Sequence, residues 1–496
     1  MKHDINGGSL PPLIANVLHD PLTHIDNLFA DTWKQLRFGS LIYKAGFRKR
    51  SGTDIVDVVF LLLVWRWINV ASISMFTRKA IGLFSHACKD VLYDTLKRED
   101  INWRELNLQA AKKVYDEHEL ERSRTRALIL DDSIKVRRGK KIEAVSRHFD
   151  HVSNTYVKGQ QVLTLGLATE DAFLPLDSQI YVSGSQPQPL IKPYKDGRSV
   201  GAKRYQEAIG QSKVEMAVGM MRRAVKAGIR ADYVAADAWF GNKEMMRAGL
   251  SLNMSAILRM KKNKLKYRLE IDGRAQLLDA KELYQTAVRK QWKKVRGMPW
   301  KAVEMTVDVD LATEKGKDKK PEHHPMKLLF VRGVNEEEDN DGSRKDWALF
   351  LATDPNVGTS TMLEAYALRW GVEVYFKEAK QHLGFLKEQT ITFISHTASI
   401  HLCAIRYLML MNGKLNQQGA TIGQLRGNIQ HQLDSLCFAS QLWQLFRAIV
   451  GGTLKSLGRQ LGCTVETIMS EIDTRVEEFF VRSLQLDALT MELEYE

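Results

Sequence analysis

The sequence predicts a layered α/β domain held between helical ends, and three observations carry that expectation. Two short apolar runs finish in carboxylates, Ala127–Asp132 and Asp232–Asp237, as buried strands reaching a polar sheet edge would. Between them, Lys213–Lys226 places small and apolar residues (Ala217, Val218, Met221, Ala224, Val225) at helical spacing, with Gly228 as its stop. The flanking regions, residues 1–120 and 393–496, read instead as amphipathic helices.

Taken in order, the helical N-terminal region includes Asp54-Ile55-Val56-Asp57-Val58-Val59, which runs into an apolar segment. Residues 121–240 supply the first part of the α/β domain: strands at Ala127–Asp132, Gln161–Leu167 and within Leu174–Val182, the Lys213 helix, and a strand ending at Asp237. Residues 241–345 read as a β-rich insertion. Asp272-Gly273 there signals a hairpin, and Ala302–Val309 alternates strictly. Lys315–His324 and Asn335–Gly342 are polar loops by composition, the second carrying the acidic run Glu336–Asp341. Residues 346–392 return to the α/β domain through an apolar strand at Trp347–Thr353. Leu457–Val465 with Glu466–Ile472 carries a weak helix-turn-helix pattern, set against a helical dimerisation segment.

Bulk properties narrow the function classes. A chain of 496 residues, 44% hydrophobic and 26% charged, has the composition of a globular protein with several domains. A net charge of +13 and a pI near 9.3 suit a polyanionic partner. Cys88, Cys403, Cys437 and Cys463 lie far apart with no C-x-x-C pair, which argues against zinc fingers and a disulfide framework. His148, His323 and His324 form no metal-ligand spacing. The longest apolar run, Val58–Trp65, is too short to span a bilayer, and Met1-Lys2-His3-Asp4 begins no signal region. The expectation is a soluble cytoplasmic protein.

The most informative stretch is Tyr366–Lys380, Y-A-L-R-W-G-V-E-V-Y-F-K-E-A-K. Tyr366, Arg369, Glu373 and Lys380 stand at offsets of three, seven and fourteen. On one continuous helix they would share about 60° of arc and form a stripe roughly 20 Å long. Leu368, Val372, Phe376, Ala379 and Leu383 would form the packing face beside it. A carboxylate can hold a metal ion, and flanking Arg and Lys can hold phosphates. An ordinary solvated face with charge pairs is the competing reading. Two further acids tip the balance: Asp237, and one of Asp131 and Asp132. Two-metal phosphoryl transfer needs such a carboxylate set, with ions about 3.5–4 Å apart. Oxygen ligands favour Mg²⁺, with Mn²⁺ able to replace it.

At this point the chain resembles the bacterial insertion-sequence transposases with a DDE triad and a Y-R-E-K signature. Tyr366, Arg369, Glu373 and Lys380 match that signature's letters and spacings. Leu130-Asp131-Asp132-Ser133 resembles the first acid motif and Asp237-Ala238-Trp239-Phe240 the second, with the insertion between the second acid and Glu373. The resemblance covers about residues 120–390. It implies a ribonuclease H-like mixed sheet flanked by helices. It also implies cleavage at element ends, strand transfer into target DNA and a homodimer on paired ends. The partners are then double-stranded DNA, as terminal inverted repeats and target, with neither a membrane nor a nucleotide cofactor. Two Mg²⁺ ions would serve each site.

Candidate site residues follow. Neighbouring strand side chains point to opposite faces, so one of Asp131 and Asp132 joins the metal site, and periodicity does not choose. The family pattern places the acid immediately before a hydroxyl residue, which favours Asp132. Asp237 and Glu373 complete the set. For Asp237 the competing role is an N-cap for the helix beginning near Asn242. Arg369, Lys380, Tyr366 and the neighbouring Lys377 are expected on phosphates. Trp370, Trp292 and Trp300 are candidates for base stacking, against ordinary packing. Lys261, Lys262, Lys264, Lys293 and Lys294 are candidates for the DNA backbone, as is the cluster Arg137-Arg138-Gly139-Lys140-Lys141. The alternatives to a transposase are a structure-specific nuclease of the same fold and an inactive, transposase-derived DNA-binding protein.

Overall fold

In the computed structural model, residues 28–472 are described, apart from 69, 86, 151–152, 185–186, 289–291, 314–320, 334–346, 458–463 and 465. The acidic run 336–341 and most of the Leu457–Val465 pattern therefore lie outside the described residues. The helices are α1 (Leu28–Gln35), α2 (Phe38–Lys44), α3 (Ile55–Val64), α4 (Ile73–Lys79), α5 (Lys89–Leu96), α6 (Trp103–Glu117), α7 (Val200–Gly210), α8 (Lys213–Lys226), α9 (Lys243–Ser251), α10 (Ala280–Val288), α11 (Thr359–Ala367), α12 (Trp370–Gln381), α13 (Phe393–Asn416) and α14 (Ile422–Leu457). The strands are β1 (Ala127–Val136), β2 (Ser146–Asp150), β3 (Thr155–Ala168), β4 (Phe173–Tyr181), β5 (Tyr233–Ala236), β6 (Ser255–Met260), β7 (Tyr267–Ile271), β8 (Arg274–Leu278), β9 (Lys293–Lys294), β10 (Trp300–Asp310), β11 (His323–Gly333) and β12 (Trp347–Ala352).

The chain divides into two compact units. One takes in the chain up to Ala110, Tyr194–Gly201 and the chain from Ala379 onward. So the two helical ends, read from sequence as separate regions, pack together. Its centre is α13, buried from Phe393 to Gly413, against the apolar α3 and the cluster of Phe29, Trp33, Phe38 and Phe60. The α3 helix starts where the Asp54 side chain accepts the Val56 N–H, and α4 where Ser72 accepts that of Met75. Arg406, fully buried on α13, donates to the carbonyls of Leu62, Leu63 and Leu383. Those bonds tie the C-terminal end of α3 to the segment after α12.

The second unit, Ala111–Pro193 with Ala202–Glu378, is built on one sheet. β1 pairs antiparallel with β3 and parallel with β5, β5 pairs parallel with β6, and β4 lies outside β3. The order β4-β3-β1-β5-β6, three antiparallel strands followed by two parallel ones, is that of a ribonuclease H-like core. The insertion extends the same sheet: β12 pairs antiparallel with β6, then β11 and β10 follow. β7 and β8 close it through a hairpin whose Asp272 and Gly273 both take positive φ, as the Asp-Gly pair predicts.

Helices cover both sheet faces. α8 begins with a capping box between Ser212 and Glu215 and ends at Gly228, whose φ is +80°. It packs on β3 and β4, where Arg223 meets the buried Asp177 at 2.7 Å. On the other face, Met362, Leu363 and Ala365 of α11 pack on Ile257, Leu329, Phe350 and Ala352. Among the described residues no helix is long and apolar enough to cross a membrane.

Candidate active site

The buried strand β1 is apolar from Ala127 to Leu130 and then presents Asp131 and Asp132 where it leaves the core. Alternation sends the two carboxylates to opposite faces. Asp131 points toward α11 and α12, where its Oδ2 accepts from Arg369 Nη1 at 2.9 Å. Asp132 points toward α8, where its Oδ2 meets Lys213 Nζ at 2.8 Å and its Oδ1 accepts from Gln161 Nε2 at 2.7 Å. Asp132, the acid before Ser133 that the sequence favours, thus lies on the face away from Arg369. Sequence alternation could not decide this, because both Ile129 and Leu130 are fully buried.

Arg369 is the hub of the Asp131 face. Its second amine nitrogen donates to Glu373 Oε1, so one guanidinium joins two acids. Burial pulls the Arg369 pKa down, but Asp131, Tyr366, Glu373 and Asp237 outweigh it and hold it above its ordinary value. Burial pushes the Asp131 carboxyl up to about 6; Asp237 and Asp132 push the same way, while Arg369 and the Asp132 N–H oppose them. Asp237 therefore acts on Asp131 and on Arg369, as sheet pairing of β1 with β5 requires.

Asp237 follows β5 directly, and its Oδ1 accepts the Trp239 N–H at 2.9 Å. The helix that follows is capped by Asn242, which accepts from Met245, so Asp237 is not its N-cap. Gly241 closes this turn for a steric reason: a Cβ there would lie 2.5 Å from the Arg259 carbonyl oxygen.

The Y-R-E-K stretch departs from the expected single helix. α11 stops at Ala367, and Leu368–Arg369 form a turn before α12 begins at Trp370. The Arg369, Gly371 and Val372 amides bond three residues back, to Tyr366, Leu368 and Arg369. That tight winding replaces the four-residue ladder of an α-helix. Gly371 fits here because a Cβ would come 3.1 Å from the Phe173 ring. Val372, Phe376, Ala379 and Leu383 are buried as expected. Tyr366 packs edge-on against Phe350 at 4.7 Å, and burial raises its pKa. Lys377 is exposed and Lys380 lies in the last turn of α12.

The other expected residues divide. Trp370 is 67% exposed beside Arg369, and Trp300 is half exposed on β10. Trp292 is engaged in packing, with Tyr284 edge-on at 6.2 Å and the Arg332 guanidinium 4.3 Å from its ring. Lys261, Lys262 and Lys264 are exposed after β6, with Lys262 Nζ 3.7 Å over the Trp347 ring. Lys293 and Lys294 line an open groove of about 510 Å³ with Arg296, Glu304, Thr359 and Ser360. Lys213 was missed in the sequence. It pairs Asp132 and also lies 3.9 Å over the Trp239 ring, and its only sequence signal is the position after a capping serine.

Among the described residues, no group of three or more Asp, Glu, His or Cys side chains is gathered closely enough to hold a metal as they stand. What is gathered is a half-buried strand acid, a helix acid and a strand-end acid around one arginine. The family model for the DDE superfamily endonuclease matches residues 79–295, and that for the Transposase DDE domain matches residues 212–409. The chain belongs to the DDE transposase family. No curated protein matches it. Of the three acids around Arg369, Asp131 falls in the first match, Glu373 in the second, and Asp237 in both. A family of this kind acts on DNA, and the net charge of +13 suits that substrate.

Proposed function

We propose that this transposase belongs to the insertion-sequence group with the Y-R-E-K signature and moves its element by cutting and pasting. It cuts at terminal inverted repeats and joins the freed end to target DNA. The observation that carries this reading is the Arg369 guanidinium shared by Asp131 and Glu373, beside Asp237. We assign the first acid to Asp131, because Asp132 is taken up by Lys213 and Gln161 on the other face.

Asp131, Asp237 and Glu373 offer only carboxylate oxygens, a hard donor set that fits Mg²⁺, or Mn²⁺ in its place. A positive group already lies between two of them, which supports a cation site there. These three residues would hold the metal, two ions per site. When bound, the metal supplies an activated water and neutralises charge on the leaving oxygen.

The chain's own cations do the positioning. Arg369 offers a two-pronged fork to a phosphate, Lys377 and Lys380 offer point charges, and the Tyr366 hydroxyl donates. Trp370, exposed beside Arg369, suits a base displaced near the cut. A water oxygen attacks phosphorus, the bond to the 3′ oxygen breaks, and a 3′-hydroxyl and 5′-phosphate result. The 3′-hydroxyl then attacks a target phosphodiester, so bonds are exchanged and no nucleotide is consumed. The working form is a homodimer on paired ends in the cytoplasm. An exposed apolar row on α14 (Phe438, Leu442, Leu445, Phe446, Ile449) supports the dimer.

The test uses the DNA that flanks the gene. Its terminal repeats are incubated with the protein and Mg²⁺, beside Asp131→Asn, Asp237→Ala and Glu373→Ala. Cleavage at the repeat boundary, lost in all three variants with DNA binding retained, is expected. Binding without cleavage by the unaltered protein in Mg²⁺ and in Mn²⁺ would instead make this a DNA-binding derivative.

A further inference from the structure

Past the carboxylates, β1 follows β3 as far as Gly159, and from there the first part of β3 continues with β2 as a two-stranded ribbon. Its register sets Arg147 opposite Lys158 and Phe149 opposite Tyr156. Side chains alternate along a strand, so these four residues share one face. Counting by twos along β3, from Tyr156 through Lys158, Gln160 and Val162, leads to Thr164, whose partner on β1 is Asp131. The face that carries the ribbon residues is therefore the face that carries the proposed catalytic carboxylate.

At its far end, up to Lys158, that face is open and positive, whereas Gln160, Val162 and Thr164 between it and Asp131 are buried. Tyr156 is 66% exposed and Phe149 37% exposed, and Arg147 and Lys158 are exposed beside them. The two rings meet edge to face at 5.3 Å, and the Arg147 guanidinium lies 5.4 Å from the Tyr156 centroid. The turn after β1 adds exposed Arg138, Lys140 and Lys141. Among the described residues from 133 to 160, no exposed residue is acidic. Glu143 is buried, where it accepts the Ile191 N–H, and Asp150 accepts from Ser153. Exposed aromatic rings between cations, with no carboxylate among them, match a polyanion that also has flat apolar faces. A nucleic-acid strand has both, and its bases offer those faces only where they leave the duplex stack.

We propose that this ribbon face binds the DNA strand roughly 25 Å along β3 from Asp131, at about 3.3 Å per strand residue, stacking an unpaired base on Tyr156 and Phe149 while Arg147 and Lys158 hold the adjoining phosphates. The proposal rests on DNA being the substrate, and it names the strand contact and the form of DNA preferred. It assigns the ribbon no part in the chemistry.

The test is binding in EDTA, where no cleavage contributes. The probe is a forked duplex made from the terminal repeat, with 2-aminopurine in the unpaired arm, beside the same sequence fully paired. The unaltered protein should quench the arm's fluorescence and prefer the fork. Tyr156→Ala should lose the quench and weaken fork binding by about tenfold, while Tyr156→Phe keeps both. Arg147→Ala with Lys158→Ala should flatten the salt dependence by about two phosphate contacts. Ultraviolet crosslinking from 5-iodouracil in the arm, mapped in the unaltered protein, needs no variant and should land on Tyr156 or Phe149. Equal binding of fork and paired duplex, an intact quench in Tyr156→Ala, or a crosslink elsewhere would overturn the proposal. Each readout is independent of cleavage. A silent ribbon in a protein that cuts sinks only this inference, whereas a working ribbon in a protein that never cuts sinks only the catalytic reading.

Discussion

Arg369 reaches Asp131 Oδ2 at 2.9 Å through one nitrogen and Glu373 through the other, and so holds apart two acids that would otherwise repel. In this state the guanidinium does part of what a divalent ion would do. Removing it leaves a largely buried carboxylate unpaired, at a cost of about 1–3 kcal/mol. Arg369→Ala should therefore lower the melting temperature in EDTA. Adding Mg²⁺ should restore more stability to the variant than to the unaltered protein, because a ligand stabilises the form that binds it better. Thermal melts with and without Mg²⁺ check this. An equal Mg²⁺ increment in both proteins would show that Arg369 does not compete with the metal.

The two neighbouring aspartates should separate cleanly by mutation. Asp131→Asn should abolish cleavage. Its effect on stability follows from the raised pKa of about 6. A carboxyl whose folded pKa lies above its unfolded value stabilises fully below that unfolded value, and the contribution is lost as pH rises through about 6. Above that pH the ionised Asp131 opposes burial, so the Asn variant should lose little stability at pH 8. Asp132→Asn should behave oppositely. It strips Lys213, itself almost buried, of its carboxylate and should cost about 1–3 kcal/mol, with cleavage still measurable. Parallel melts and cleavage assays at pH 8 check both. Cleavage lost in Asp132→Asn but kept in Asp131→Asn would return the metal site to Asp132.

His148 supplies a pH dependence outside the acid triad. It shares a hydrogen bond with Ser146 at 2.9 Å and faces Lys213, Asp132, Gln161 and Tyr181. Burial, then the Lys213 charge, pushes its pKa down to about 4. The folded value lies below the unfolded one, so the neutral ring's contribution is intact above about pH 6.5 and is lost as pH falls toward about 4. Urea denaturation of the unaltered protein and of His148→Gln at pH 7.5 and 4.5 checks this. The variant should lose less stability on acidification, by up to about 3 kcal/mol.

The layered fold was legible because its strands are short apolar runs between clear stops, and a buried strand that ends in acids has few other readings. The packing face beside the Tyr366–Lys380 row was legible in the same way, with Val372, Phe376, Ala379 and Leu383 all buried. What was not legible depends on register. Whether Asp131 or Asp132 faces Arg369 is set by which sheet face α11 and α12 cover, and both aspartates follow fully buried neighbours. The break at Leu368–Arg369 carries no proline, and Gly371 is explained only by the Phe173 ring packed against it. Lys213 became notable only when β1, α8 and the turn after β5 met. The packing of the two helical ends into one unit was invisible for the same reason, since it joins residues hundreds of positions apart, as Arg406 does with Leu62 and Leu63.

The exposed apolar row of α14 should report on the dimer. Phe438, Leu442, Leu445, Phe446 and Ile449 recur at spacings of three and four, the pattern of one helix face. Large apolar side chains at such exposure favour burial against a partner. Leu445→Glu with Phe446→Glu should shift the protein toward monomer in sedimentation velocity and weaken paired-end complexes, with little change in melting temperature. An unaltered protein that sediments as a monomer, with and without repeat DNA, would remove the dimer from the mechanism.

Arg406 is the strongest structural test, because it is fully buried and bonded on every side. Its guanidinium donates to the carbonyls of Leu62, Leu63 and Leu383, and Glu388 lies 3.9 Å away. Burial pulls the Arg406 pKa down to about 10, against the pull of Glu388 and Cys403, and burial raises that of Glu388. Substituting Arg406 leaves three carbonyls without their donor and Glu388 without its main counter-charge, although Ser399 still donates to it. Breaking a buried pair from one side costs about 3–5 kcal/mol. Arg406→Met should therefore lower the denaturation midpoint sharply. Arg406→Met with Glu388→Gln should recover part of that loss, because the orphaned charge is gone. Equilibrium denaturation of the two variants measures the difference, and equal losses would show that the three carbonyl bonds, rather than the charge pair, carry the contribution.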